Sequence, residues 1–352
     1  MGAKLAAVKI LILGGTLFVG RHLVEAALQR GHEVTLFNRG REAPALFPEV
    51  ERLKGDRRGD LAALAGRRWD AAIDTAAYVP SLVARAAHLL APAVAHYTVI
   101  STRSVYAEHA RSGEDGPLAT LDAAALREAE AIEPEGRSTA YLYGEHYGAL
   151  KALCERAAES AMPGRVLVIR PGLIVGPYDP TDRFTYWVRR VARGGAVLAP
   201  GRPDRTVRAL DARDLAAWCV RSIEAGTVGV FNAAGADGVT LASLLDACRP
   251  EPLESDARLV WASEAFLVAR GVTPWSELPL WVREEDNAFL ETGNARAEAA
   301  GLTFRSLRET ARDTRAWDCT RGGAVLRAGL TAERETALLA ELDLAIEAGP
   351  AR

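Results

Sequence analysis

The sequence predicts an α/β fold, a doubly wound parallel sheet followed by a smaller mixed C-terminal lobe. Three observations predict it. Short apolar, β-branched runs alternate with longer helical patterns over the first 100 residues, and strict alternation implies parallel strands joined by right-handed crossovers. A glycine turn, Gly14-Gly15, separates the first run from the first helix. The chain has 352 residues, 49% hydrophobic and 25% charged, enough for two domains with packed cores.

Taken in order, residues 8–13 read as a buried strand, and 18–30 as a helix with one apolar face that stops at Gly31. Strands follow at 33–37, 50–53, 70–75 and 97–101, with an Ala-rich helix at 81–90 between the last two. Residues 107–140, rich in Glu, Ala and Gly, read as an insertion over the sheet edge with one helix at 121–132. A helix at 143–160 and a buried strand at 165–170 close the regular part. Beyond Gly172 the sequence mixes Pro, Gly, Trp and Arg, with helices at 215–223, 241–247 and 263–270 and four tryptophans, Trp261, Trp275, Trp281 and Trp317. The expected domains are 1–172 plus about 208–235, then 173–207 with 236–335, and a C-terminal helix or tail at 336–352.

Composition removes several classes of function. The 43 basic residues nearly balance 46 acidic ones, for a net charge of −3. That balance gives no electrostatic footprint for a phosphate backbone, so nucleic acid is not expected as a partner. Cys154, Cys219, Cys248 and Cys319 show no metal-ligand or disulfide spacing, so no metal site is expected and a reducing, cytoplasmic setting fits. Lys9 interrupts the apolar run at 5–13, no cleavage site follows it, and no stretch is long enough to span a membrane. Only four of the basic residues are lysines, Lys4, Lys9, Lys54 and Lys151.

Gly14, Gly15, Thr16, Leu17, Phe18, Val19 and Gly20 lie between the first strand and the first helix. There glycines allow a tight turn, and helix N-terminal N–H groups can face a pyrophosphate. The pattern departs from GxxGxxG at Leu17, where the middle glycine would fall. The second strand runs into Asn38, Arg39, Gly40 and Arg41, with no acid to hold a ribose 2′-hydroxyl. Two arginines without that acid suit a 2′-phosphate, so NADP(H) is favoured over NAD(H). Asp56, with Arg57 beside it, follows the third strand where an adenine amino group could be met, and a turn role in Gly55-Asp56-Arg57 serves equally well.

Tyr147 and Lys151 stand four residues apart on one helix face. A phenol beside an ammonium and a nicotinamide cation is drawn toward the phenolate, which suits proton exchange with a carbinol or carbonyl while hydride moves at the nicotinamide. A hydroxyl partner is expected from Ser101, Thr102 or Ser104 near the fifth strand end.

The glycine turn, the Ser/Thr cluster before Val105-Tyr106, Tyr147-Gly148-x-x-Lys151-x-x-x-Glu155, Arg170-Pro171-Gly172 with Gly176-Pro177, and Asp211-x-x-Asp214-Leu215-Ala216 occur in that order. Together they resemble the extended short-chain dehydrogenase/reductase superfamily, in its NAD-dependent epimerase/dehydratase branch, over about residues 8–235 and more loosely to about 318. The resemblance implies a Rossmann-type dinucleotide-binding domain and a substrate lobe. It also implies that Tyr147 is the acid/base, that Lys151 holds the nicotinamide ribose, and that Thr102 polarises the substrate oxygen. Ala76, Pro171 and Gly172 are further expected cofactor contacts. Ala77, Tyr78, Tyr178, Arg183 and Trp187, with Thr102, are expected to meet the substrate. A homodimer is implied as well.

Two departures narrow the activity. Arg103-Ser104 stands where related 4,6-dehydratases have Asp-Glu, and Val207 where nucleotide-sugar enzymes of the branch often have Arg, with Arg205 and Arg208 nearby. The glycine turn and Asp74-x-x-Ala77-Tyr78-x-Pro80 are closer to an atypical subgroup that includes chloroplast stem-loop RNA-binding proteins. The sequence therefore points to a carbonyl/alcohol oxidoreductase acting on a small substrate. The competing readings are an epimerase that oxidises transiently with tightly bound NAD(P), and a non-catalytic dinucleotide- or RNA-binding protein.

Overall fold

The computed structural model describes residues 6–108, 113–132, 142–250, 255–290 and 292–347. The chain divides into two compact units: residues 1–172, 212–234 and 292–303 form the first, and residues 173–211, 235–291 and 304–352 form the second.

The first unit is built on a seven-stranded sheet in which every pairing is parallel. Its strands are β1 (Lys9–Leu13), β2 (Glu33–Asn38), β3 (Glu51–Lys54), β4 (Ala71–Asp74), β5 (His96–Ile100), β6 (Val166–Pro171) and β10 (Gly229–Ala233), in the order β10-β6-β5-β4-β1-β2-β3. Strand order reverses between β1 and β4, and ligands of such sheets sit beyond the carboxyl ends at that point. The central strands are apolar throughout because helices cover both faces. Ile10, Leu11, Ile12, Val99 and Leu167 are all fully buried.

The helices of this unit are α1 (Phe18–Gln29), α2 (Pro80–Leu90), α3 (Ala123–Ala131), α4 (Tyr147–Ala161), α6 (Ala212–Glu224) and α9 (Ala295–Ala299). Most expected elements shift by one or two residues. The largest shift is at 143–160, where a 3₁₀ turn, Gly144–His146, precedes the α-helix proper, which starts at Tyr147. Gly144 has φ +48°, which delays regular helix. The expected insertion at 107–140 lies partly outside the described residues.

The second unit holds what the sequence left irregular. It contains β7 (Leu173–Val175) paired with β9 (Ala209–Asp211), and β8 (Ala196–Pro200) paired with β11 (Arg258–Ala262). Around them lie α5 (Arg183–Ala192), α7 (Leu241–Ala247), α8 (Glu264–Ala269), α10 (Leu307–Cys319) and α11 (Ala332–Glu347). Trp187, Trp281 and Phe184 fill its core. None of these four strands was expected; β7 and β9, at three residues each, are too short to show a period.

Candidate active site

At the end of β1, Gly14 and Gly15 turn the chain with φ +112° and +91°. A Cβ on Gly14 would collide with the Thr75 hydroxyl, and one on Gly15 would lie 2.5 Å from Leu36 Cδ2. Gly20 fits for a similar reason, since its Cβ would come within 2.9 Å of the Gly15 backbone. Asn38 braces the turn by donating from Nδ2 to the Gly14 carbonyl at 2.9 Å, while its Oδ1 accepts from Gly40 N–H. Asn38 thus acts on the turn itself, a part its position alone did not reveal. Leu17, where a middle glycine was expected, is extended at φ −120°, ψ 140°, so its backbone conformation does not need glycine. The strain falls instead on Phe18, at φ +32°.

The α1 N-terminus has no side-chain cap and no acid in its first turn. Its orphan N–H groups and positive dipole end suit a pyrophosphate. Beyond the ends of β2 and β3, Arg39 is half-buried and Arg41 exposed, and among the described residues neither forms an ion pair. Lys54, paired in register with Asn38, packs its stem against Gly40 and adds a third cation that sequence reasoning missed. The glycine cradle, the uncapped helix end and the cationic corner fit a dinucleotide.

Two expected cofactor contacts look inward. Arg57 makes a two-pronged ion pair with fully buried Asp74, 2.7 Å on each arm, and also donates to the Ala76 carbonyl at 2.9 Å. Its guanidinium is therefore spent on bracing the loop after β4, which carries Ala76, Ala77 and Tyr78. Asp56 accepts from Arg58 N–H at 3.0 Å and closes a turn.

The Tyr147–Lys151 face of α4 is pressed onto the segment after β5. Gly148 makes this approach: a Cβ there would lie 2.8 Å from the Ser104 carbonyl carbon and nearer still to its oxygen. Lys151 is 2% exposed and donates from Nζ to the Ile100 carbonyl at 2.6 Å. Burial holds its pKa below the usual lysine value. The Tyr78 ring lies 5.0 Å from Lys151 Nζ, and its centroid is 6.3 Å from that of Tyr147. Thr102 Oγ1 accepts from Ser104 N–H at 3.2 Å and lies 3.3 Å from Ser104 Oγ. Tyr78, Tyr147 and Lys151 are thus brought together, and Gly148 sets their helix against the Thr102–Ser104 segment.

A buried polar network holds this arrangement from behind. Glu155, one turn beyond Lys151, accepts from Ser101 Oγ and from Arg170 Nε and Nη2, the last two at 3.0 and 2.6 Å. Arg170 also donates to Tyr106 Oη at 2.9 Å, and Tyr106 donates to Asn232 at 2.6 Å. The network ties α4, β5, β6 and β10 into one register.

The other expected substrate contacts divide. The Ala77 methyl is fully buried in the first unit's core, so only its backbone could meet a ligand. Trp187 is a correction: it is fully buried, its indole donates to the Pro279 carbonyl at 2.6 Å, and it packs the second unit's core. Tyr178 packs on Trp317, and Arg183 donates to Thr181 while its guanidinium lies 5.2 Å from the Trp275 ring. Pro171 ends β6, and Gly172 just beyond it donates to the Ala233 carbonyl.

A family model described as NAD dependent epimerase/dehydratase family matches residues 10–234. The chain belongs to that family. The family takes its name from NAD-dependent epimerases and dehydratases. The structure of UDP-glucuronic acid 4-epimerase from Bacillus cereus with NAD is similar at TM-score 0.60 and 15% identity, over 90% of this chain and 99% of that one. The human epimerase family protein SDR39U1 with NADPH follows at TM-score 0.54 and 20% identity, over 86% and 99%. UDP-glucose 4-epimerase from Thermotoga maritima with UDP-glucose gives 0.57 and 17%, over 89% and 99%. At such identities the likeness is one of fold. Among curated proteins, the Chloroplast stem-loop binding protein of 41 kDa b of Arabidopsis thaliana is 26% identical over 272 residues. That alignment covers 69% of this chain and 64% of the relative, so the family member described here spans about two-thirds of that protein's length. No described helix is long and apolar enough to cross a membrane.

Proposed function

We propose that this family member is an NADP(H)-dependent oxidoreductase acting at a carbonyl or alcohol carbon of a small substrate. The observation that carries the proposal is the close approach at Gly148, which seats Tyr147 and Lys151 against the Thr102–Ser104 segment at the carboxyl edge of the sheet. When bound, the dinucleotide supplies or accepts hydride. Tyr147 gives or takes the proton at the substrate oxygen, and Thr102 Oγ1 hydrogen-bonds that oxygen. The Lys151 ammonium, anchored on the Ile100 carbonyl and bordered by Tyr78, would favour the Tyr147 phenolate and would hold the nicotinamide ribose. Arg39 and Arg41, with Lys54 beside them, would hold the 2′-phosphate, since the β2 end carries no acid to repel it.

The second unit supports a substrate other than a nucleotide diphosphate sugar. Val207 is buried, Arg205 is 3% exposed and bound to Asn287 and the Arg283 carbonyl, and Arg208 pairs with Asp237. Each nearby arginine is therefore already engaged. The family model and the named epimerases favour, as a second reading, an epimerase that oxidises transiently with the same residues.

Tyr147→Phe tests both readings: dinucleotide binding should persist while NADPH-linked turnover across a carbonyl and alcohol panel disappears. Turnover near that of the unaltered protein would overturn the assignment. A nicotinamide absorbance that survives purification would mark the epimerase, and its absence the exchanging reductase. The family resemblance also supports a homodimer, which sedimentation equilibrium would detect.

A further inference from the structure

We propose that a cleft lying wholly within the second unit binds a small amphipathic carboxylate. The cleft has a volume of about 600 Å³, in the range of small-molecule sites. One wall is α5, another is the end of α10, and the third is the segment 325–331. None of its lining belongs to the dinucleotide site.

Its floor and lip are apolar. Leu326 and Leu330 line it, and Val325, at 91% exposure, stands at the rim. An apolar side chain so exposed beside a hollow offers surface for an apolar ligand to cover.

Its charge is cationic in a specific way. Four guanidiniums line it, those of Arg189, Arg190, Arg193 and Arg315. Asp318 neutralises Arg189 through two bonds of 2.9 and 2.6 Å. Buried Glu335 holds Arg190 at 2.5 Å and reaches Arg193 at 3.2 Å, and Glu333 adds a carboxylate on the Arg193 side. Asp318, which also pairs with Arg321, and Glu335 engage three of the four guanidiniums and leave Arg315. Arg315 is the guanidinium with no ion pair or hydrogen bond among the described residues, and it is half-buried. A lone cation over an apolar floor selects a monoanion with an apolar body. In addition, the Tyr186 hydroxyl is buried in the wall.

Cys319 lines the same cleft and is exposed, whereas Cys154, Cys219 and Cys248 are buried, so it reports occupancy. The experiment measures the rate of Cys319 alkylation by N-ethylmaleimide with octanoate, octanol or octyltrimethylammonium added. Octanoate should slow alkylation saturably, while equal concentrations of the alcohol and the cation should not. Arg315→Glu should weaken the octanoate effect by about tenfold or more with NADPH affinity unchanged, and Leu326→Trp should abolish it by filling the floor. Absence of protection by octanoate, equal protection by octanol, or protection that survives Arg315→Glu would each overturn the proposal.

Discussion

Gly148→Ala sets two effects of opposite sign against each other. Alanine is the better helix former by about 1 kcal/mol, so on propensity alone the variant gains stability. The added Cβ, however, would stand 2.8 Å from the Ser104 carbonyl carbon, against an optimum of about 3.5–4.0 Å. Both partners are backbone, so no rotamer change relieves the overlap, and α4 must move off the Thr102–Ser104 segment. Overpacking of this kind costs about 1–3 kcal/mol. Taking the upper end and returning the propensity gain leaves a loss of about 2 kcal/mol. For a unit of this size that is a fall in Tm of about 4–8 °C. Thermal unfolding followed by far-UV circular dichroism measures it. Gly59→Ala is the control, because a Cβ there meets open space and the change should stay within about 0.5 kcal/mol. Displacing Tyr147 by about 1 Å should also lower turnover by about 100-fold. A Gly148→Ala protein with unchanged or raised Tm would refute the close approach.

Glu155→Ala strands the buried Arg170 charge and should cost about 3–5 kcal/mol in urea unfolding; Glu155→Gln, which keeps an acceptor, should cost less. Lys151→Met should abolish turnover and change the pH profile of stability. Because burial lowers the Lys151 pKa, the unfolded chain binds that proton more readily, so stability rises with pH up to about 10.5 and the variant loses that rise. Glu224 behaves in the opposite sense: hydrogen bonds from Arg30, and then from His32, lower its pKa. Its contribution is complete above the unfolded carboxylate value and disappears as pH falls through the folded one, so Glu224→Gln should flatten that part of the acid unfolding profile.

The first unit was legible because its signals are local and repeated. Apolar runs marked the central strands, and the Gly14-Gly15 turn fixed where the carboxyl edge lies. The Tyr147–Lys151 spacing placed both groups on one helix face, which Gly148 sets against the Thr102–Ser104 segment. What the sequence concealed depends on long-range partners. Arg57 looks like a loop cation until Asp74, 17 residues away, is seen to claim it. Trp187 looks like a binding aromatic until the Pro279 carbonyl, 92 residues away, accepts its N–H. Gly148 stood inside the recognised motif, yet its purpose shows only when α4 meets Ser104. Lys54 escaped notice because nothing in a strand end marks its neighbour across the sheet.

On the proposed function, the glycine turn and the cationic corner hold NADP(H) in preference to NAD(H). Calorimetric titration of the protein with NADPH and with NADH tests it most directly, repeated on an Arg39→Ala, Arg41→Ala double variant. NADPH should bind more tightly than NADH, and the preference should collapse in the variant while NADH binding persists. Equal or tighter binding of NADH by the unaltered protein, or failure to bind either dinucleotide, would contradict it.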